Sequence, residues 1–187
     1  MGKSYMATMD RRQIKTRKAV FNAFIELLDE KGYADITIQD IIDRADIGRS
    51  TFYSHFQTKE DLLSVICEEI FSHVFAEHGE KEEHHDFSDS KELDAELTHI
   101  LYHLGDHRKA IRSILSADCA DTFMRYFKRN LYETVSKERV PMPQGVPEGY
   151  ALHHYVSSYA DTVRWWMDNE GYTPEDMIRY FKRMTIL

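Results

Sequence analysis

The segment Ile36–Leu63, ITIQDIIDRADIGRSTFYSHFQTKEDLL, decides how the rest of the chain is read. Thr37 followed by Asp40 is an approximate capping box, so a helix opens here. Ile38, Ile41, Ile42 and Ala45 give that helix an apolar face, and Asp46-Ile47-Gly48 reads as the turn that ends it. A second short helix follows from Arg49 to His55, crowding Phe52, Tyr53, His55 and Phe56 together. Thr58-Lys59-Glu60-Asp61 then starts another helix, with a threonine cap and carboxylates in the first turn.

Two short helices joined by a tight turn with a glycine form a helix-turn-helix, whose second helix fits the major groove of duplex DNA. Phe52 and Phe56 share one helical face and are expected to anchor that helix in a core. Arg49, Ser50, Thr51, Tyr53, Ser54 and His55 are left around the outer surface. Arginine and threonine suit base edges, whereas tyrosine, serine and histidine suit phosphate oxygens. Lys59 opens the following helix, where its cation and the free backbone N–H groups both favour a phosphate.

Working outward, the apolar residues Val20, Phe21, Phe24, Ile25, Leu27 and Leu28 predict a long helix from about Asp10 to Lys31, stopped by Gly32. Downstream, Leu62, Leu63, Ile66, Ile70 and Val74 extend the fourth helix toward His78, and the polar run His78–Ser90 reads as a linker. A fifth helix runs through Leu93–Leu104, and a short sixth, capped by Asp106, passes through Ile111 and Leu115. A seventh spans Asp118–Lys137, and the proline-rich stretch Pro141–Gly149 is a loop. An eighth carries Leu152, Tyr155, Val156, Tyr159, Val163, Trp166 and Met167 and ends near Gly171, and a ninth opens at Thr173-Pro174. The expected fold is all-α, with nine helices in two domains, residues 10–75 and 76–187.

The chain has 187 residues and a net charge of -8, which by itself argues against a nucleic-acid partner. The charge is uneven, however: Lys3, Arg11, Arg12, Lys15, Arg17 and Lys18 face only Asp10 before Glu26. Such asymmetry marks a polyanion-binding end or a solvated basic arm. No apolar run is long enough for a transmembrane span, and the N-terminus lacks a secretory apolar region. With two unpaired-spacing cysteines, Cys67 and Cys119, the expectation is a cytoplasmic, reduced protein.

The segment Ile36–Leu63 resembles the N-terminal DNA-binding domain of the TetR-type (TetR/AcrR) bacterial transcriptional regulators, and the likeness extends over residues 16–75. Its signature is Thr37, Gly48, Tyr53 with Phe56, and the Lys59-Glu60-Asp61-Leu62 run. The resemblance implies that Thr37 contacts phosphate, that Arg49, Ser50 and Thr51 face the groove, and that Tyr53, His55 and Lys59 clamp the DNA backbone. Ser54 stands where many members carry a second aromatic residue. It further implies a homodimer on a palindromic double-stranded operator, a small-molecule effector and, most often, repression.

In the second half the resemblance is looser, and Tyr155–Phe181 looks like the helix pair with which such proteins dimerise. Leu152, Val156, Val163, Met177 and Phe181 are the expected interface side chains. His99, Tyr102, His103, Phe123, Phe127, Tyr159 and Trp166 are candidates to line a pocket for a hydrophobic or aromatic effector, though each ring also falls at ordinary core spacing. Trp165 and Trp166 are adjacent and cannot share a face, so one is expected inside and the other toward a partner. No cofactor is expected. His99, His103 and His107 leave a metal-responsive regulator open as an alternative, but Asp106 is expected to end the helix before His107 and no third ligand stands out. Nothing resembles a phosphate loop, a nucleophile elbow or HExxH, so an enzyme is not expected. A helical protein-interaction adaptor is the remaining alternative; it leaves the surface from Arg49 to Lys59 without a role.

Overall fold

The computed structural model describes residues 11–75, 92–137 and 144–185. Among them are nine α-helices and one 3-10 turn, and no strand. The basic residue Lys3, the expected linker His78–Ser90 and the prolines Pro141 and Pro143 lie outside the described residues. No described helix is long and apolar enough to cross a membrane.

The chain divides into two compact units, the first ending at Ile66 and the second beginning at Cys67. The division falls inside the fourth helix.

The first unit is built from α1 (Arg11–Glu30), the 3-10 turn Tyr33–Asp35, α2 (Ile38–Ala45), α3 (Arg49–Tyr53) and the start of α4 (Lys59–Val74). Val20, Ala23, Phe24, Leu27 and Leu28 of α1 are buried with Ile41, Ile42, Phe52, Phe56, Leu62 and Leu63, whereas Phe21, Ile25, Ile38 and Ala45 are half-buried at the edge of the core. Phe52 and Phe56 pack together with centroids 5.6 Å apart, and Phe21 lies 6.1 Å from Phe56. Arg44 of α2 reaches Glu30 of α1 at 2.7 Å, tying these helices at the surface.

The capping box of α2 is complete: the Asp40 N–H donates to the Thr37 hydroxyl at 3.1 Å, and the Thr37 N–H donates to the Asp40 carboxylate at 2.7 Å. The turn between α2 and α3 differs from its sequence reading. Its left-handed residue is Asp46, with φ of 51°, while Gly48 is extended with φ of −75° and caps α3. Aspartate tolerates the left-handed region because its short side chain bonds locally, so glycine is not what bends the chain here.

The second unit contains the rest of α4 and then α5 (Glu92–Asp106), α6 (Arg108–Ser116), α7 (Ala120–Val135), α8 (Glu148–Asp168) and α9 (Pro174–Met184). Asp106 belongs to the last turn of α5, and His107 stands at the N-cap of α6 without a side-chain cap bond, which corrects the expected aspartate cap. Helix α8 starts at Glu148, so the proline-rich loop ends before Gly149. Gly105 lies within α5, where glycine costs roughly 1 kcal/mol against alanine. A Cβ there would come within 3.3 Å of the Trp166 ring, so the missing side chain is the room that Trp166 uses.

Candidate nucleic-acid interface and effector domain

The burial pattern of α3 separates anchors from contacts. Phe52 and Phe56 are buried, whereas Arg49, Ser50, Tyr53 and Ser54 are exposed and Thr51 and His55 half-buried. Tyr53 packs edge-on against Phe52 at 5.6 Å, while about half of the residue remains exposed. The Ser54 hydroxyl donates to the Thr51 carbonyl at 2.7 Å, closing the end of the helix. His55 lies against Phe56, and burial together with the nearby Arg17 charge lowers its pKa below the ordinary value.

Two predicted contact residues are engaged within the protein. The Thr37 hydroxyl donates to the Asp40 carboxylate at 2.7 Å as part of the capping box. That carboxylate also holds Lys31 at 2.7 Å, and the Lys31 and Thr37 bonds press its pKa well below the usual carboxylate range. Lys59 donates to the backbone carbonyls of Tyr33, Ala34 and Ile36 at 2.6, 3.4 and 2.9 Å, and its ammonium stands over the Tyr33 ring. Its charge faces the 3-10 turn, a role its position at a helix start did not suggest.

One residue of this surface was not singled out from the sequence. Gln39 of α2 accepts a hydrogen bond from the Arg49 guanidinium at 2.5 Å and donates to Asp43 at 2.7 Å. The helical spacing of Gln39 and Asp43 was legible; the approach of Arg49 across the turn was not.

In the second unit, Phe123, Phe127 and Tyr159 lie in one ring cluster with Phe71 and Phe181. All three are fully buried, and the Tyr159 hydroxyl donates to the Leu97 carbonyl at 2.5 Å. His99 and His103 are paired through their Nε2 atoms at 2.7 Å, with His103 buried. Tyr102 instead donates to Glu175, joining α5 to α9. Trp166 is buried, with its indole N–H donating to the Tyr172 carbonyl at 2.9 Å and the Arg108 guanidinium 4.8 Å from its ring. Arg125 and Arg164 are exposed. Among the described residues no group of three or more His, Cys, Asp or Glu side chains is placed to hold a metal ion.

The five side chains expected at a subunit interface pack inside the single chain. Leu152, Val156, Val163, Met177 and Phe181 are all buried within the single chain, where Phe181 packs on Tyr155 and Tyr159. Their helical repeat reports the protomer's own core. The outer surface of α8, α9 and the turn between them carries Trp165, Tyr172 and Tyr180, with Trp165 5.2 Å from Tyr172 and Tyr172 6.1 Å from Tyr180. Trp166 is thus the inner tryptophan and Trp165 the outer one.

Comparisons with known proteins agree with this geometry. Residues 21–66 match the family model of the bacterial regulatory proteins of the tetR family, and residues 91–186 match that of a transcriptional regulator C-terminal region. An uncharacterized HTH-type transcriptional regulator of Bacillus subtilis (strain 168), YxbF, is 45% identical over 71 residues, covering 35% of this chain and 19% of that protein. DhaS of Lactococcus lactis subsp. lactis (strain IL1403), an activator of the dhaKLM operon, is 36% identical over 70 residues, 37% of each chain. The match therefore spans well under half of either relative. A TetR transcriptional regulator from Streptococcus agalactiae 2603V has a similar crystal structure over 94% of this chain and 96% of its own, with 34% identity and a TM-score of 0.68. Each of these relatives is named a transcriptional regulator or activator. A helix-turn-helix with a buried aromatic pair and a polar outer face, followed by a helical second unit matched over most of its length, places the chain in the TetR family of bacterial transcriptional regulators.

Proposed function

We propose that this regulator acts in the cytoplasm as a homodimer on a palindromic operator, as a repressor released by a small, mostly apolar effector. The observation that carries the DNA reading is the partition of α3: its two phenylalanines are buried, which leaves Arg49, Ser50 and Tyr53 outward on one short helix. One such helix contacts too few base pairs for useful specificity, and two-fold pairing doubles the site. The exposed rings of Trp165, Tyr172 and Tyr180 are the apolar surface we assign to the partner subunit.

For the effector, we assign the buried rings of Phe123, Phe127 and Tyr159 as the apolar wall and the His99–His103 pair as its polar handle. Effector binding need shift the operator-competent state by only about 1–3 kcal/mol to change affinity up to a hundredfold. Activation is the second reading, supported by the likeness to DhaS, which is named an activator.

The test is selection from a random duplex pool, followed by transcription from the selected site. A palindrome whose binding falls by about 1–3 kcal/mol in Arg49→Ala, at one position per half-site, supports the reading. Failure of the wild-type protein to enrich any palindrome at low salt overturns it. Repression or activation is then read from transcript yield. Release by planar hydrophobic compounds supports the organic effector, and release by divalent metals alone supports the metal-responsive alternative.

A further inference from the structure

We propose that Gln39 is a positioning residue that sets base preference by holding the Arg49 guanidinium; this rests on the reading of α3 as the DNA-recognition helix. Gln39 lies on α2 and Arg49 is the first residue of α3, so their hydrogen bond crosses the turn between the two helices. The Gln39 amide is engaged at both ends: its oxygen accepts from Arg49 Nη2, and its nitrogen donates to Asp43 Oδ1 at 2.7 Å.

The chemistry of the three groups fixes the direction of this chain. A guanidinium only donates and an ionised carboxylate only accepts, so the amide between them has one workable orientation. Turning it over would set its NH2 against Arg49 and its oxygen against Asp43, losing both bonds. Asp43 thereby orders Gln39, and Gln39 orders Arg49.

All three side chains are exposed, so solvent alone would leave Arg49 free to sample many rotamers. An unheld arginine on a DNA-facing helix swings to the nearest phosphate and binds any sequence. One held by Nη2 presents its remaining N–H donors in a set plane, as bidentate recognition of guanine requires. On a mismatched base the held side chain loses its groove contact without an easy phosphate substitute. Gln39 thus contributes to discrimination more than to affinity.

The experiment compares full-length wild type, Gln39→Ala, Arg49→Ala and the double variant by selection from a random duplex pool, with salt dependence measured on the selected site. In Arg49→Ala, discrimination at one operator position per half-site should fall about tenfold. Gln39→Ala should broaden the same position by a smaller factor, leave the salt slope unchanged, and add nothing in the Arg49→Ala background. Asp43→Ala should broaden that position too, whereas Asp43→Asn, which keeps a carbonyl acceptor, should retain the preference. Full discrimination in Gln39→Ala, or an effect that persists in the absence of Arg49, overturns the proposal; the second outcome makes Gln39 a direct reader. A wild-type protein that selects no duplex overturns the DNA-binding reading itself, so the two failures are distinct. Gln39 is exposed, and unchanged circular dichroism of its variant separates these effects from misfolding.

Discussion

The Lys59 ammonium lies 4.2 Å from the centroid of the Tyr33 ring and donates to the Tyr33 carbonyl oxygen at 2.6 Å. The same group accepts no alternative partner without releasing the carbonyls of Ala34 and Ile36, so it braces the 3-10 turn against the start of α4. Removing it leaves those carbonyls without their charge-assisted donor. Lys59→Ala should therefore lower stability by about 1–2 kcal/mol, seen as an earlier urea midpoint with an unchanged slope. Well below the unfolding transition, its operator salt slope should fall by less than the ~0.9 expected of a side chain devoted to one phosphate. A full-unit fall with wild-type stability would show that the lysine leaves the turn for DNA.

Because Asp46, not Gly48, occupies the left-handed region, substitution should cost more at Asp46 than at Gly48. A Cβ on Gly48 meets only side-chain oxygens at 3.7 and 3.9 Å, which is ordinary contact. Gly48→Ala should stay within about 0.5 kcal/mol of wild type. Asp46→Val should cost about 1–2 kcal/mol, since a β-branched residue is strained at positive φ. Thermal melting of both variants checks the order.

Val163 is 0% and Phe181 2% exposed in the single chain, so a charge at either position should unfold the protomer rather than separate two folded ones. Even the uncharged Phe181→Ala should cost about 3–5 kcal/mol. Trp165 is 44% exposed, and Trp165→Glu should instead leave helix content intact while reducing the mass seen by sedimentation. A Trp165→Glu protein that sediments unchanged places the subunit interface on another surface.

Acid should weaken the protein in two windows. The His55 pKa is lowered from 6.5 by burial and by Arg17, so the folded state resists protonation that the unfolded chain accepts. Stability is thus retained above about pH 6.5 and declines as pH falls below it. His55→Gln should flatten that part of the profile. The Asp40 pKa is lowered from 3.8 by its bonds to Lys31 and Thr37, so its contribution is present above that value and is lost as pH falls further. Asp40→Asn should be less stable at neutral pH and less sensitive to the lower window. Urea midpoints measured from pH 7 down to below pH 2 resolve the two.

Most helix boundaries, the capping box at Thr37 and the helix start at Thr173-Pro174 were legible in the sequence. Caps, helical periodicity and breakers are local, acting over three or four residues, and a single chain displays them in full. The signature from Thr37 to Leu62 identified the family for the same reason. What the sequence alone did not settle was which buried stripe belongs to a protomer and which to a partner: Val163 and Phe181 were expected at an interface, yet periodicity records that a face is apolar and not what covers it. Nor did it separate Trp165 from Trp166, pair Tyr102 with Glu175, or turn Lys59 toward the Tyr33 carbonyl. Those outcomes depend on residues brought together from distant positions, and the Gln39–Arg49 bond across the α2–α3 turn depends on the angle at which two helices meet. Tertiary structure decides them because partner identity is a matter of three-dimensional proximity, which no local pattern encodes.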